Sequence, residues 1–237
     1  MNWFQAIMNK AAAIGEIYIY GEVDNFKFFD EDVTPSGVAE ELKKLKDAKE
    51  LNLYVNSPGG GVFAGVAIYN LLKRDPRPIT AYVDGLAASI ASLIVLAADR
   101  VVMPANALYM IHNPYTVAAG DAESFRALAD TMDKVKSAIM LAYTEKTGLS
   151  DEEVSKMMDE ETWFTGQEAY EAGFADQVEE EQKIAACLQG DKIKFKDVEV
   201  PINKFKAFPK AKFSEHKPKM SLKQRVEHEL FLLGAEI

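Results

Sequence analysis

The sequence predicts an α/β fold for most of the chain. Segments rich in β-branched and aromatic residues alternate with segments whose apolar residues recur every three or four positions. Such alternation is typical of a sheet whose strands are joined by helical crossovers. The chain has 237 residues, 48% of them hydrophobic, which is enough for one sizeable core with some chain left over. We therefore expect one compact domain followed by a tail.

In the first half of the chain, caps and turns define the elements. Thr34-Pro35 is typical of a helix cap followed by proline in the first turn. The run Ser57-Pro-Gly-Gly-Gly61 contains three consecutive glycines, which we expect to end a strand. In chain order we predict a short helix over residues 2–14, a strand over 16–20, a helix over 35–46, a strand over 51–56 and a helix after the glycines through Leu72.

The second half of the domain contains two helices of different character. Residues 87–98 are apolar and small, so they predict a helix that is buried on nearly every side. Over residues 121–147, apolar positions recur at mixed spacings of three and four, which predicts one long helix. Short strands are predicted over residues 79–83, 101–103 and 107–111.

We place a domain boundary near residues 183–190, where the regular pattern loosens into Lys, Phe and Pro. Residues 201–220 hold six lysines and one acid, although the formal net charge of the whole chain is -10. The prediction is a compact domain over residues 1–183 and a basic, partly flexible extension over 184–237 that ends in a short helix. That helix would present Leu222, Val226, Leu230 and Leu233 on one face.

Composition excludes several classes of protein. The negative net charge argues against wrapping nucleic acid over most of the surface. No apolar run is long enough to span a membrane and the N-terminus lacks a secretion signal, so we expect a cytoplasmic protein without a membrane partner. The single cysteine, Cys187, permits no internal disulfide. We found no metal-ligand cluster or nucleotide motif, so the sequence predicts no cofactor.

His112 is the first candidate catalytic residue. The other two histidines, His216 and His228, lie in the extension, so His112 is the sole imidazole of the predicted domain. It ends a strand, and Asn113-Pro114 stops that strand, which leaves the ring near a sheet edge where catalytic residues tend to lie. Seen alone, a single histidine is more often structural.

Ser89 and the glycine run are the second and third candidates. Ser89 falls in the first turn of the predicted small-residue helix, where free backbone N–H groups can stabilise an oxyanion. For Ser92 in the same segment we favour a packing role. The glycine run can present its own N–H groups to a ligand, or it can be a tight turn only. No Lys-Ser or Lys-Thr pair follows the glycines, so the run is not a phosphate loop.

Together these segments closely resemble the Clp protease proteolytic subunit family. Its motifs occur here in the family's order: Asn56-Ser-Pro-Gly-Gly60, Gly85-Leu-Ala-Ala-Ser-Ile-Ala-Ser92 and Met110-Ile-His-Asn-Pro114. The resemblance covers roughly residues 16–180. It implies a spiral of strand-strand-helix units, shared with crotonase-type enzymes, and a protruding handle helix. It also implies a serine endopeptidase that acts through an acyl-enzyme intermediate.

The resemblance assigns roles residue by residue. In the family an aspartate before an aromatic-rich strand orients the histidine, and anchoring on Phe164 and Glu168-Ala169 puts Glu161 at its position. Asp159 is the alternative acid, and a solvated helix end is the plain interpretation of both. The other roles implied are Ser89 as nucleophile, His112 as general base, Gly60 and Ile90 as N–H donors of an oxyanion hole, and Gly61 and Val62 as backbone partners of an extended substrate.

Both ends of the chain depart from the family's housekeeping members. The front, Met1–Ile14, lacks their longer apolar lead-in, and the extension beyond residue 183 is foreign to them. These departures resemble the phage and prophage branch, which is associated with capsid maturation. The hypothesis is then a head maturation protease working inside the prohead. Its basic extension would contact a capsid or scaffold protein, or would simply be a solvated tail.

Several functions stay open. The chain can be an accessory proteolytic subunit that degrades proteins with an ATPase unfoldase, a crotonase-type acyl-CoA enzyme, or a catalytically silent assembly protein. The family resemblance implies a homo-oligomer of stacked rings, a heptamer or tetradecamer, acting on protein and peptide substrates. Nothing in the sequence fixes ring size or cleavage preference.

Overall fold

The computed structural model describes residues 4–26, 32–180, 187–189, 192–195 and 198–209. Its main sheet contains eight strands. They are β1 Phe4–Asn9, β2 Ile14–Val23, β3 Glu50–Gly60, β4 Ile79–Ala88, β5 Arg100–Pro104, β6 Leu108–Ile111, β7 Thr162–Thr165 and β8 Gln177–Glu179. The helices are α1 Pro35–Lys44, α2 Val62–Lys73, α3 Ile90–Val95, α4 Ala122–Thr147, α5 Asp151–Asp159 and α6 Gly166–Glu171. The predicted α/β class is confirmed.

The sheet branches at β4, and this branch positions the site. The main path runs β1-β2-β3-β4-β5-β8, while β6 pairs with β4 and with β7. Residues 80–82 of β4 pair with β5, whereas residues 86–88 pair with β6. Because both pairings are parallel, the chain that leaves β4 and the chain that leaves β6 emerge side by side at one edge.

The core lies between this sheet and the helices. Every residue of α3 is buried, which agrees with the prediction of a helix covered on all sides. Tyr109, Tyr143 and Phe174 are the largest fully buried side chains, and the Phe174 ring contacts both tyrosine rings. The long helix α4 starts at an Asp121 cap and ends at Gly148, where a positive φ of 72° suits glycine.

The helix predicted over residues 2–14 is wrong. Residues 4–9 form β1, which pairs with β2 in antiparallel register from Phe4 opposite Ile19 to Asn9 opposite Ile14. The local apolar spacing was compatible with a helix, but pairing with β2 supplies the backbone hydrogen bonds and decides the conformation.

Two strands are longer than predicted, and one helix is shorter. β3 continues through the glycines to Gly60, and β4 continues past Asp84-Gly85 to Ala88. Register shifts near Val55 and Tyr20 absorb the irregular backbone, so the neighbouring strands stay paired. The predicted helix 87–98 is therefore reduced to α3, and its first residues belong to the strand.

Part of the predicted extension packs against the domain. Three short strands, β9 Cys187–Gln189, β10 Lys192–Phe195 and β11 Val198–Pro201, form a separate antiparallel sheet. Residues 202–209 then pack on a second apolar cluster that includes Leu86, Met110 and Trp163. The helix predicted around residues 222–233 lies outside the described residues. The boundary at residue 183 remains a prediction.

Candidate active site

Ser89 occupies a strained turn between β4 and α3. Its φ of 56° and ψ of -131° fall in a region that residues with a side chain rarely adopt. Its amide donates to the carbonyl of Met110 on β6 over 3.0 Å, so the branch of the sheet holds the turn in place. A sharp strand-to-helix turn of this kind presents a serine hydroxyl outward from the sheet edge.

His112 follows β6 and contacts Ser89 directly. Its Nε2 lies 2.8 Å from the Ser89 Oγ, and its side chain is 13% exposed. Burial lowers the pKa of His112 below its ordinary value, although the nearby carboxylate of Glu161 opposes this shift. The ring is therefore neutral near pH 7. With its proton on Nδ1, facing Glu161, Nε2 can accept the proton of the serine hydroxyl.

Glu161 lies on the opposite side of the imidazole. Its Oε2 is 3.6 Å from Nδ1 of His112, longer than a hydrogen bond but within ion-pair distance. The side chain is 5% exposed, and its backbone has a φ of 53°. A buried carboxylate needs hydrogen-bond donors, and Glu161 has three. These are Trp163 Nε1 at 3.3 Å, the Lys206 amide at 3.0 Å and the Ala207 amide at 2.7 Å.

Asp159, the alternative acid, points elsewhere. Its carboxylate accepts hydrogen bonds from Lys136 Nζ at 2.6 Å and Asn113 Nδ2 at 2.7 Å, and its side chain is 55% exposed. These hydrogen bonds hold the pKa of Asp159 below its ordinary value, and the bond from Lys136 has the larger effect. The geometry therefore favours Glu161 as the partner of His112.

The glycines of β3 lie against the Ser89 turn. A Cβ added to Gly59 would fall 2.7 Å from the Ser89 Cβ and 3.0 Å from the Ile90 nitrogen. A Cβ on Gly60, whose φ is 145°, would fall 2.1 Å from the carbonyl oxygen of Val23. Only glycine allows this close approach. Gly60 lines the same cavity as Ser89, and Ile90 directly follows Ser89 as the first residue of α3. An N–H group in the first turn of a helix has no intrahelical acceptor, so the Ile90 amide is available to a ligand.

Gly61, assigned to substrate pairing, is largely engaged within the fold. Its amide donates to the Val23 carbonyl over 2.7 Å, and its own carbonyl accepts from the Gly65 amide over 3.0 Å. A carbonyl oxygen has a second lone pair, so this atom can still accept one bond from a peptide. Val62 begins α2 and has an amide without an intrahelical acceptor.

A cavity of about 410 Å³ opens beside Ser89. Ser89 and His112 line it, and apolar side chains from α2 and α4 form much of its wall. These include Val62, Phe63, Leu128, Met132 and Val135. Such a cavity can accept an apolar side chain of a peptide.

Ser92 has the packing role expected from the sequence. Its hydroxyl is fully buried and lies 2.5 Å from the Ser89 carbonyl and 2.8 Å from the Tyr143 hydroxyl. It stabilises the turn through the Ser89 carbonyl.

Sequence reasoning missed the contribution of residues 206 and 207. They act through backbone amides, which every residue except proline has, so no side-chain pattern could reveal them. The part of the chain that the structure describes has no group of three His, Cys, Asp or Glu residues able to hold a metal ion, and no helix there is long and apolar enough to cross a membrane.

Comparison with known proteins shows which family the chain belongs to. The Clp protease family model matches residues 4–182. The ATP-dependent Clp protease proteolytic subunit 3 of Streptomyces coelicolor is 38% identical over 132 residues, which cover 54% of this chain and 60% of that protein. Subunit 2 of Thermobifida fusca is 37% identical, over 55% of this chain and 65% of that protein. Subunit 1 of Chlamydia muridarum is 36% identical over 159 residues, which cover 63% of this chain and 83% of that protein.

The chain therefore spans only 60–65% of the length of the first two relatives. The family model, in contrast, matches well over half of the chain and includes every residue of the Ser89, His112 and Glu161 group. On this evidence the chain belongs to the Clp protease family.

Proposed function

We propose that this chain is a serine endopeptidase with Ser89 as nucleophile, His112 as general base and Glu161 as the acid that orients the base. The main support is the 2.8 Å contact between Ser89 Oγ and His112 Nε2. A serine hydroxyl attacks an amide only when a base removes its proton and the charge on the carbonyl oxygen is stabilised. Both requirements can be met at this edge of the sheet.

In the proposed reaction His112 Nε2 takes the proton as Ser89 Oγ bonds to the substrate carbonyl carbon. The N–H groups of Gly60 and Ile90 stabilise the resulting oxyanion. Protonated His112 then gives the proton to the leaving amine, and the acyl-enzyme forms. A water molecule, deprotonated by the same imidazole, hydrolyses the acyl-enzyme. Gly61 and Val62 are proposed to hold the extended substrate backbone.

We further propose that the chain acts as a proteolytic subunit within a homo-oligomeric ring, together with an ATPase partner. The relatives' names describe ATP-dependent proteolytic subunits. Large apolar side chains are exposed on and before the long helix, namely Val117, Phe125 and Leu141, and contact with neighbouring subunits would cover them. A capsid-maturation role is the second candidate. The relatives' names give it no support, so we rank it below the first.

The acyl-CoA and the catalytically silent interpretations have less support. A crotonase-type acyl-CoA enzyme does not need a serine and an imidazole in contact, yet these two side chains meet. A catalytically silent assembly protein was suggested by the glutamate at the position of the family's aspartate. Glu161 nevertheless lies beside the imidazole and is held by three donors, which favours a working acid.

A fluorophosphonate probe tests the proposed peptidase, because the probe bonds only to an activated serine. We expect the unchanged chain to be labelled and Ser89→Ala to lose labelling completely. Ser137→Ala is the matched control, since this exposed serine of α4 bonds only to the Asp133 carbonyl of its own helix. Labelling of Ser89→Ala at the unchanged rate would refute the assignment. Hydrolysis of a casein-derived peptide by the same proteins then tests peptide-bond cleavage.

A further inference from the structure

The carboxylate of Glu161 is held from a distant part of the sequence. The amides of Lys206 and Ala207 lie 45 and 46 residues further along the chain, and each donates to a different carboxylate oxygen. The same carboxylate faces Nδ1 of His112. Two amides therefore fix the plane of the carboxylate with respect to the imidazole, and both come from the region predicted to be an extension.

The segment that carries these amides is anchored on both sides. Phe205 and Phe208 each pack edge-on against Trp163, with ring centroids 4.9 Å and 5.1 Å away. Ile202 and Phe205 are both 8% exposed. Between these two residues, Lys204 forms an ion pair with Glu22 of β2, at 3.3 Å. Apolar burial and an ion pair thus hold residues 202–208 in one position while the amides meet the carboxylate.

From this geometry we propose that residues 202–209 are a positioning segment of the catalytic site. Their amides hold Glu161 where it keeps the proton of His112 on Nδ1, and cleavage depends on them. Without these donors the buried carboxylate would be under-satisfied and would turn toward water, because desolvating an unpartnered charge is costly. The inference rests on the proposed peptidase function, since it concerns the acid of the same group.

The hydrogen bonds from Lys206 and Ala207 to Glu161 predict how shortened chains should cleave peptides. A tail that only tethers the enzyme to a partner can be removed without loss of peptide cleavage. Deletion of residues 190–237 removes both amides, so we expect it to reduce cleavage itself. Deletion of residues 210–237 keeps both amides, so we expect cleavage to be retained.

The decisive experiment removes one amide in the full-length chain. Ala207→Pro eliminates the N–H that donates to Oε1 of Glu161, whereas Ala207→Ser at the same exposed position keeps it. We expect the rate constant for fluorophosphonate labelling to fall about tenfold in Ala207→Pro, since a hydrogen bond to a charged group is lost. Ala207→Ser should label faster than Ala207→Pro, because it keeps the N–H that donates to Glu161. With a peptide substrate, kcat should fall while KM changes little.

A double-mutant cycle separates positioning from a general loss of structure. If the segment acts through Glu161, then adding Ala207→Pro to Glu161→Ala should cause no further loss. An undiminished rate in Ala207→Pro, or an equal additional loss in the double variant, would overturn the proposal. A faster rate would also overturn it, because the segment would then obstruct the site.

An NMR titration of His112 gives a readout that does not need activity. Glu161 raises the pKa of His112, so displacement of the carboxylate in Ala207→Pro should make the ring titrate at lower pH. An unchanged titration would count against the positioning role even in a chain that labels. Failure of the unchanged chain to label, with the titration shifted as expected, would instead refute the peptidase function and leave the structural link intact.

Discussion

The two halves of the site are held in place differently. Ser89 directly follows β4 and His112 directly follows β6, and these two strands pair with each other. The Ser89 amide also bonds to Met110 of β6. Glu161 precedes β7, and its carboxylate is held by amides near the end of the described chain. The positions of the proposed nucleophile and base depend on the sheet, whereas the position of the proposed acid depends on a segment packed against the sheet.

This difference indicates where the site is robust and where it can be adjusted. Moving Ser89 away from His112 would require strands of the buried core to separate, which costs much of the stability of the domain. Moving Glu161 requires only the release of a short segment with three buried or half-buried apolar side chains, Ile202, Phe205 and Phe208. We therefore expect substitutions that displace Ser89 or His112 to remove nearly all activity. Substitutions that displace Glu161 should reduce activity by intermediate amounts.

After Ser89→Ala, the largest loss of labelling is expected for His112→Ala. Without the base, Ser89 keeps its proton, so the rate constant for fluorophosphonate labelling should fall by about two to four orders of magnitude. His216→Ala provides the control, because it removes another imidazole of the chain that the proposed mechanism does not use. Equal labelling of His112→Ala and the unchanged chain would disprove general-base catalysis by this residue.

A smaller loss is expected for Glu161→Ala. The base remains but its tautomer and orientation are no longer fixed, so kcat should fall about a hundredfold. Asp159→Ala should leave kcat within about twofold, since Asp159 contacts Lys136 and Asn113 instead of the histidine ring. If the two variants showed the reverse order of loss, the acid would have to be reassigned to Asp159.

Ser92→Ala tests how the serine side is supported. This change removes a buried hydroxyl that contacts both the Ser89 carbonyl and the Tyr143 hydroxyl. We expect the free energy of unfolding to fall by about 1–3 kcal/mol, because a buried polar partner is left unsatisfied. Urea unfolding followed by circular dichroism measures this change. Ser137→Ala, which alters an exposed hydroxyl, should leave the unfolding midpoint unchanged.

The smallest effect concerns pH. His112 must be neutral to accept a proton, so kcat/KM should rise with pH through the pKa of His112, which burial lowers below its ordinary value of 6.5. The positive charge of Lys206 lowers this pKa further. Lys206→Ala should therefore shift the acidic limb to higher pH, by a fraction of a pH unit, while its amide still holds Glu161.

Lys134→Ala removes an equivalent charge from an exposed position on α4 and should leave the pH profile in place. A shift of the Lys206→Ala limb to lower pH would show that the charge does not act on the histidine.

Much of the fold was predictable where local signals agree with the tertiary structure. The helices at residues 35–44 and 122–147 carry their own caps and periodic apolar faces. The front of the chain was mispredicted because its pairing partner, β2, lies further along the sequence and outweighs the local pattern. The glycines of β3 look like a turn in isolation, and only the pairing with β2 makes them part of a strand.

The sequence by itself determined which groups are available for chemistry: a serine in a small-residue turn, one imidazole in the domain and a run of glycines. Residue type is enough for this, because it fixes which side chains are present and where the backbone has none. Only the tertiary structure decided that the branched sheet brings Ser89 and His112 within 2.8 Å, that Glu161 and not Asp159 faces the ring, and that two distant amides hold it. Backbone donors are identical in every residue but proline, so their role is set by position alone.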